Sequence, residues 1–183
     1  MKVLAIFGVV VVLVVIAVIG LVGFQNDANR FEIDIQAQYK RNQNIYDNGW
    51  KEVVEKAQVP EMYTEKLKEL YDGTMKGRYG EKGSQALLQF ITEQNPNIDA
   101  SLYKSIQQSI EIFRNEFQQT QNELIAKKQS YETFLRATVT GRFYNMVSDY
   151  PKIDLDKFDI VTSEKTEKTF ETKKDEPLKL NGK

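Results

Sequence analysis

The stretch VLAIFGVVVVLVVIAVIGLVGF, residues 3–24, carries no charged or hydrogen-bonding side chain. As a helix it rises about 33 Å, enough to cross the roughly 30 Å hydrocarbon core of a bilayer. Val and Ile are modest helix formers in water. Inside lipid, however, every backbone N–H and C=O must bond within its own segment, which leaves a single helix as the workable form. The reading is a transmembrane helix over 1–24, with 3–24 against the lipid bilayer. A cleaved signal peptide fits less well, because it needs a shorter apolar run, a more basic start than Lys2 alone and a small-x-small site that Ile19-Gly20-Leu21 does not supply. The chain has no cysteine to acylate. Gly20, Gly23 and Ala17 form a small-residue edge without the four-residue spacing of the familiar membrane dimer motif. Lys2 and the amino terminus against Arg30, Lys40 and Arg41 do not set an orientation.

Beyond the span, the polar residues 25–30 read as a juxtamembrane hinge. A helix capped by Asn26 or Asp27 then runs past Gly49 toward Val59, where Pro60 breaks it. Its seam is Phe31, Ile35, Tyr39, Asn42, Tyr46, Trp50, Val53 and Ala57, every step three or four residues, which is the spacing of one buried helical stripe. Pro60 suits the first turn of a shorter helix bearing Met62, Tyr63, Leu67, Leu70 and Tyr71. The cluster Gly73, Gly77, Gly80 and Gly83 reads as a frayed helix end and loop, with a restart near Ser84 that carries Leu87, Leu88, Phe90 and Ile91 and stops at Asn95-Pro96.

From Asp99 a second long seam follows: Leu102, Ile106, Ile110, Phe113, Phe117, Gln121, Leu124, Lys128, Tyr131 and Leu135. This helix reaches at least Leu135, or Val147 if Thr138-Val139-Thr140-Gly141 kinks it without stopping it. A long helix with so narrow an apolar stripe needs a partner stripe. The expected fold is therefore all-α: an N-terminal transmembrane helix followed, over 31–150, by an elongated antiparallel helical bundle of two long and two short helices. Residues 151–183 read as a charged, partly disordered tail. Half of residues 152–183 are charged, eight of each sign, too little apolar surface to fold alone, although 153–161 could lie along the bundle.

Composition narrows the chemistry. The chain's 25 basic and 26 acidic residues nearly cancel, which argues against nucleic-acid binding. With no histidine and no cysteine, imidazole bases, thiolate nucleophiles and the usual zinc, haem or iron–sulfur ligands are unavailable. Gly77 to Ser84 lacks phosphate-loop spacing and follows no strand. Asp154, Asp156 and Asp159 lack the glycine and closing glutamate of a calcium loop. Glu65 and Glu69, beside Lys66 and Lys68, read as a solvated face, and the aromatic residues read as core. Trp50 stands out, because Gly49 beside it permits close approach of another backbone. No catalytic, cofactor-binding or metal-binding residue is assigned, and no small-molecule substrate is evident.

Short motifs add a resemblance. Ile33-Asp34-Ile35-Gln36-Ala37-Gln38-Tyr39-Lys40-Arg41, soon after a single span, is similar to the IDVQLKRR-type segment of the bacterial LemA family. Asn122-Glu123-Leu124-Ile125-Ala126 with Tyr131 resembles that family's long C-terminal helix. Tyr150-Pro151, then Glu167-Lys168-Thr169-Phe170-Glu171 before Glu176-Pro177, resembles its ending. The family's IPNLV stretch appears here as Ile45-Tyr46-Asp47-Asn48-Gly49-Trp50, and its first YN pair as Tyr131-Glu132. The resemblance implies a single-pass membrane protein with a long-helix bundle and no enzymatic activity. On that basis the chain is expected to be a membrane-anchored scaffold or adaptor that binds a protein partner or itself through the bundle, in the inner membrane of a bacterial or phage-infected cell. The alternative is a spanin- or holin-like lysis component with an outward-facing helical domain.

Overall fold

A computed structural model describes residues 2–76, 83–137, 139–162, 168 and 170–173. Among them there are helices and turns but no strand: α1 (Lys2–Ala57), α2 (Thr64–Met75), α3 (Gly83–Gln94), α4 (Ala100–Arg136) and α5 (Val139–Ser148), with 3₁₀ turns at Glu61–Tyr63 and Leu155–Lys157. The fold is all-helical, and its N-terminal helix contains one apolar stretch long enough to cross a membrane. Every side chain from Lys2 to Ile19 on that stretch is exposed.

The expected hinge at 25–30 is helical, because α1 is unbroken over its 56 residues. Polar residues at this point do not interrupt the stripe that packs. Phe24 and Ala28 are buried and Phe31 is half-buried, so the i, i+4, i+7 spacing passes straight through. The helix instead ends at Ala57. Gln58 takes a left-handed conformation with φ 49°, Pro60 follows, and the Asn95 side-chain amide donates to the Ala57 carbonyl at 3.2 Å, satisfying one of the orphan acceptors at the terminus.

The chain divides into two compact units, Met1–Lys40 with Asn122–Asp159 and Arg41–Gln121 with Ile160–Lys183. In the first, Phe24, Ala28 and Ile35 of α1 meet Leu124, Tyr131 and Leu135 of α4 and Tyr150. Aromatic rings interleave: Phe24 stacks on Phe134 at 5.0 Å and Phe31 on Tyr131 at 5.6 Å. The second long helix does not run on to Val147 as one element, since α4 ends at Arg136 and α5 begins at Val139; Thr138 lies outside the described residues. The Arg142 Nε–H donates to the Arg136 carbonyl at 2.6 Å, which supplies a partner to the end of α4 and holds the junction. Past α5, Ile153, Leu155 and Phe158 pack against this core.

In the second unit Val53 and Ala57 of α1, Leu67, Tyr71 and Met75 of α2, Leu87, Leu88 and Ile91 of α3, and Ile106, Ile110 and Phe117 of α4 form one cluster. Gly73, read from the sequence as part of a loop, lies buried inside α2; Gly77 and Gly80 lie outside the described residues. Asp99 caps α4, accepting from the backbone N–H of Ser101 at 2.8 Å and from its hydroxyl. These bonds, the hydroxyl's foremost, hold the Asp99 carboxyl below its ordinary range.

Candidate functional site

Three polar clusters are buried or half-buried in the helix contacts, and each tests whether side chains of an enzyme-like type are free to act. The first lies in the unit that contains the apolar stretch. Glu32 is 6% exposed. Its Oε1 accepts from the Tyr131 hydroxyl at 2.6 Å, from the Lys152 backbone N–H at 2.7 Å and from that of Ile153 at 3.4 Å. Burial, and then the bond to Glu32, raise the Tyr131 phenol well above its ordinary range. Around it the segment after α5 is tied down. The Asn145 side chain bonds both the N–H (2.9 Å) and the carbonyl (3.1 Å) of Tyr150, and the Tyr150 hydroxyl donates to Asn29 Oδ1 at 2.9 Å. Phe158 then meets the Tyr39 ring edge-on at 5.4 Å. Glu32 thus joins α1, α4 and the chain beyond α5.

The second cluster surrounds Gly49. A Cβ there would meet Phe113 Cγ at 2.8 Å and Cβ at 3.1 Å, as well as the Tyr71 hydroxyl. The close approach anticipated beside Trp50 is therefore made by two aromatic side chains and not by a backbone. The Tyr71 hydroxyl donates to the Tyr46 carbonyl at 2.9 Å, and the Tyr46 hydroxyl donates to Asp72. Burial is the main cause that raises both phenols. Lys68 Nζ lies 4.8 Å from the centre of the Trp50 ring and 3.7 Å from Asp72, so a cation of the protein itself takes the ring face.

The third cluster contains a lysine beside serines, a pairing that some hydrolases use as base and nucleophile. Lys56 Nζ donates to Glu52 Oε1 at 2.7 Å and to the hydroxyls of Ser105 and Ser109 at 2.9 Å each. The Ser109 hydroxyl in turn donates to Glu52 at 2.6 Å. The Lys56 hydrogen bond, followed by that from Ser109, lowers the Glu52 carboxyl. The ammonium's three donors are all engaged, in the pattern of a clamp between α1 and α4.

Among the described residues the remaining carboxylates are dispersed. Asp154 accepts from the N–H of Asp156, Asp159 pairs with Lys128 at 3.5 Å, and Glu69 pairs with Lys66 at 2.8 Å. Among the described residues no three acidic side chains converge as a metal site. A shallow depression over Gln129, Glu132, Thr133, Arg136 and Ala137 draws its walls from the end of one helix and does not enclose a ligand. Sequence reasoning missed Glu32 because apolar spacing is blind to a buried carboxylate. The available signal was its position seven residues before Tyr39 on the covered side of α1. Family models, curated proteins and solved structures compared with the chain give no match.

Proposed function

We propose that the chain is a single-pass, membrane-anchored helical scaffold or adaptor of LemA-like type, seated in a bacterial or phage-infected cell's inner membrane and acting by binding a protein partner or a second copy of itself. The observation that carries this reading is the change of environment along α1. Its side chains are apolar and exposed from Val3 through Ile19, and a buried three-four stripe begins at Phe24. Water would penalise the first part by about 25 cal/mol per Å² of apolar surface, a penalty that lipid removes.

Two sets of contacts support antiparallel packing of the long helices. From Phe31 to Gln38 the α4 partner falls from Tyr131 to Glu123. From Tyr46 to Lys56 it falls from Phe117 to Ser105. The two short helices, α2 and α3, close the sides of the second stretch. Glu32 and Lys56 spend their hydrogen bonds on contacts between helices, which supports the scaffold reading.

Fractionation of cells expressing the full chain tests the anchor: it sediments with membranes after alkaline carbonate washing, and recovery in the soluble fraction overturns the reading. Protease added to spheroplasts then reports sidedness. A protected bundle fits a cytoplasmic adaptor, whereas digestion replaces it with the outward-facing spanin- or holin-like device.

A further inference from the structure

Helix α5 is amphipathic in the opposite sense to a soluble surface helix. Val139, Phe143, Met146 and Val147 are 86%, 64%, 87% and 69% exposed and fall within about 100° of one another on the helical projection. The side turned to the protein carries Gly141, Tyr144, Asn145 and Ser148. In water this arrangement is inverted, since the apolar face is the one left uncovered.

The position of α5 says what covers that face. The Tyr144 ring lies against Gly20, where a Cβ would meet Tyr144 Cζ at 2.8 Å, and it is 5.9 Å from the ring of Phe24. Gly20 lies four residues, about 6 Å, inside the end of the apolar stretch. That depth matches the roughly 5–10 Å to which in-plane amphipathic helices sink into the headgroup and acyl boundary.

We propose that α5 lies in the membrane interface beside the span, with Val139, Phe143, Met146 and Val147 in lipid, so that the protein holds the bilayer by a second, in-plane helix. This rests on α1 crossing the bilayer. Because the chain has no cysteine, Phe143→Cys, Met146→Cys, Ile16→Cys and Ile112→Cys each give one spin-label site in the full chain, reconstituted in vesicles of phosphatidylcholine and phosphatidylglycerol. Collision rates with oxygen, which partitions into lipid, and with a water-soluble nickel chelate are then compared. The oxygen-to-nickel ratio at 143 and 146 rises about tenfold over that at 112 and approaches that at 16, as an interfacial helix requires. A ratio at 143 and 146 equal to that at 112, with position 16 still in lipid, overturns the proposal and leaves the anchor standing. A water-like ratio at position 16 removes the anchor and the proposal together. Loss of both collision rates at 143 and 146 with dipolar broadening between labels assigns the face to a second copy and also overturns it.

Discussion

The Tyr131 hydroxyl reaches the Glu32 carboxylate at 2.6 Å across 99 residues of sequence, and the same oxygen receives the Lys152 N–H at 2.7 Å. Helices α1 and α4 and the segment after α5 therefore share one acceptor. Tyr131→Phe removes one donor and is expected to cost about 1–3 kcal/mol. Glu32→Ala takes the acceptor from a phenol and from the backbone N–H groups of Lys152 and Ile153 and costs more. Thermal unfolding of both variants and of the double variant in lipid checks this, because coupling between the two sites appears as non-additivity.

The glycines of α1 separate into different roles. Gly49→Ala places a methyl against Phe113 and the fully buried Tyr71, and overpacking of this kind costs about 1–3 kcal/mol. Gly23 has no heavy atom within 4 Å of a built Cβ, so Gly23→Ala should leave the melting temperature unchanged or slightly raised. Equal effects of the two substitutions would contradict the packing described around Gly49.

Phe117 is 2% exposed and meets the Tyr46 ring at 5.4 Å. Phe117→Asp buries an unpaired carboxylate, a loss of about 4 kcal/mol or more, and should abolish cooperative unfolding of the second unit. Removal of residues 172–183 is expected to leave helicity intact by circular dichroism, since Thr172 and Lys173 are exposed and residues 174–183 lie outside the described part of the chain.

The three raised phenols, Tyr46, Tyr71 and Tyr131, favour the protonated form in the folded chain. The stability they confer is complete below the ordinary phenol pKa of about 10 and is lost as pH rises above it. Alkaline titration should therefore show helicity falling together with a cooperative rise in tyrosinate absorbance. Glu52 acts with the opposite sign. Its lowered carboxyl contributes above the usual carboxylate range, and that contribution disappears as pH falls through its folded value, so Glu52→Gln should flatten the acid limb of the stability profile.

The seams of α1 and α4 were legible because burial follows the three-four spacing: Ile35, Val53, Ile106, Ile110, Leu124 and Tyr131 are all 0% exposed. The end of α4 at Arg136 was legible only as an ambiguity, and it is held by the Arg142 bond to the Arg136 carbonyl, a contact no local pattern carries. Residues 25–30 misled because polar composition signals a loop only when no apolar stripe crosses it, and here Phe24, Ala28 and Phe31 cross it. The clusters at Glu32 and Lys56 depend on pairings between distant helices, which one sequence does not encode in its local spacing.

The unbroken passage of α1 through residues 25–30 gives their number a meaning that a flexible tether would not have. Each residue inserted there turns Phe24 by about 100° and shifts it 1.5 Å relative to Phe134. A seven-residue insertion nearly restores the angle but carries the ring about 10 Å out of reach. The apolar stretch that opens α1 is thus indexed to the core of the first unit like a keyed shaft, its azimuth fixed by the same stacking that begins that core.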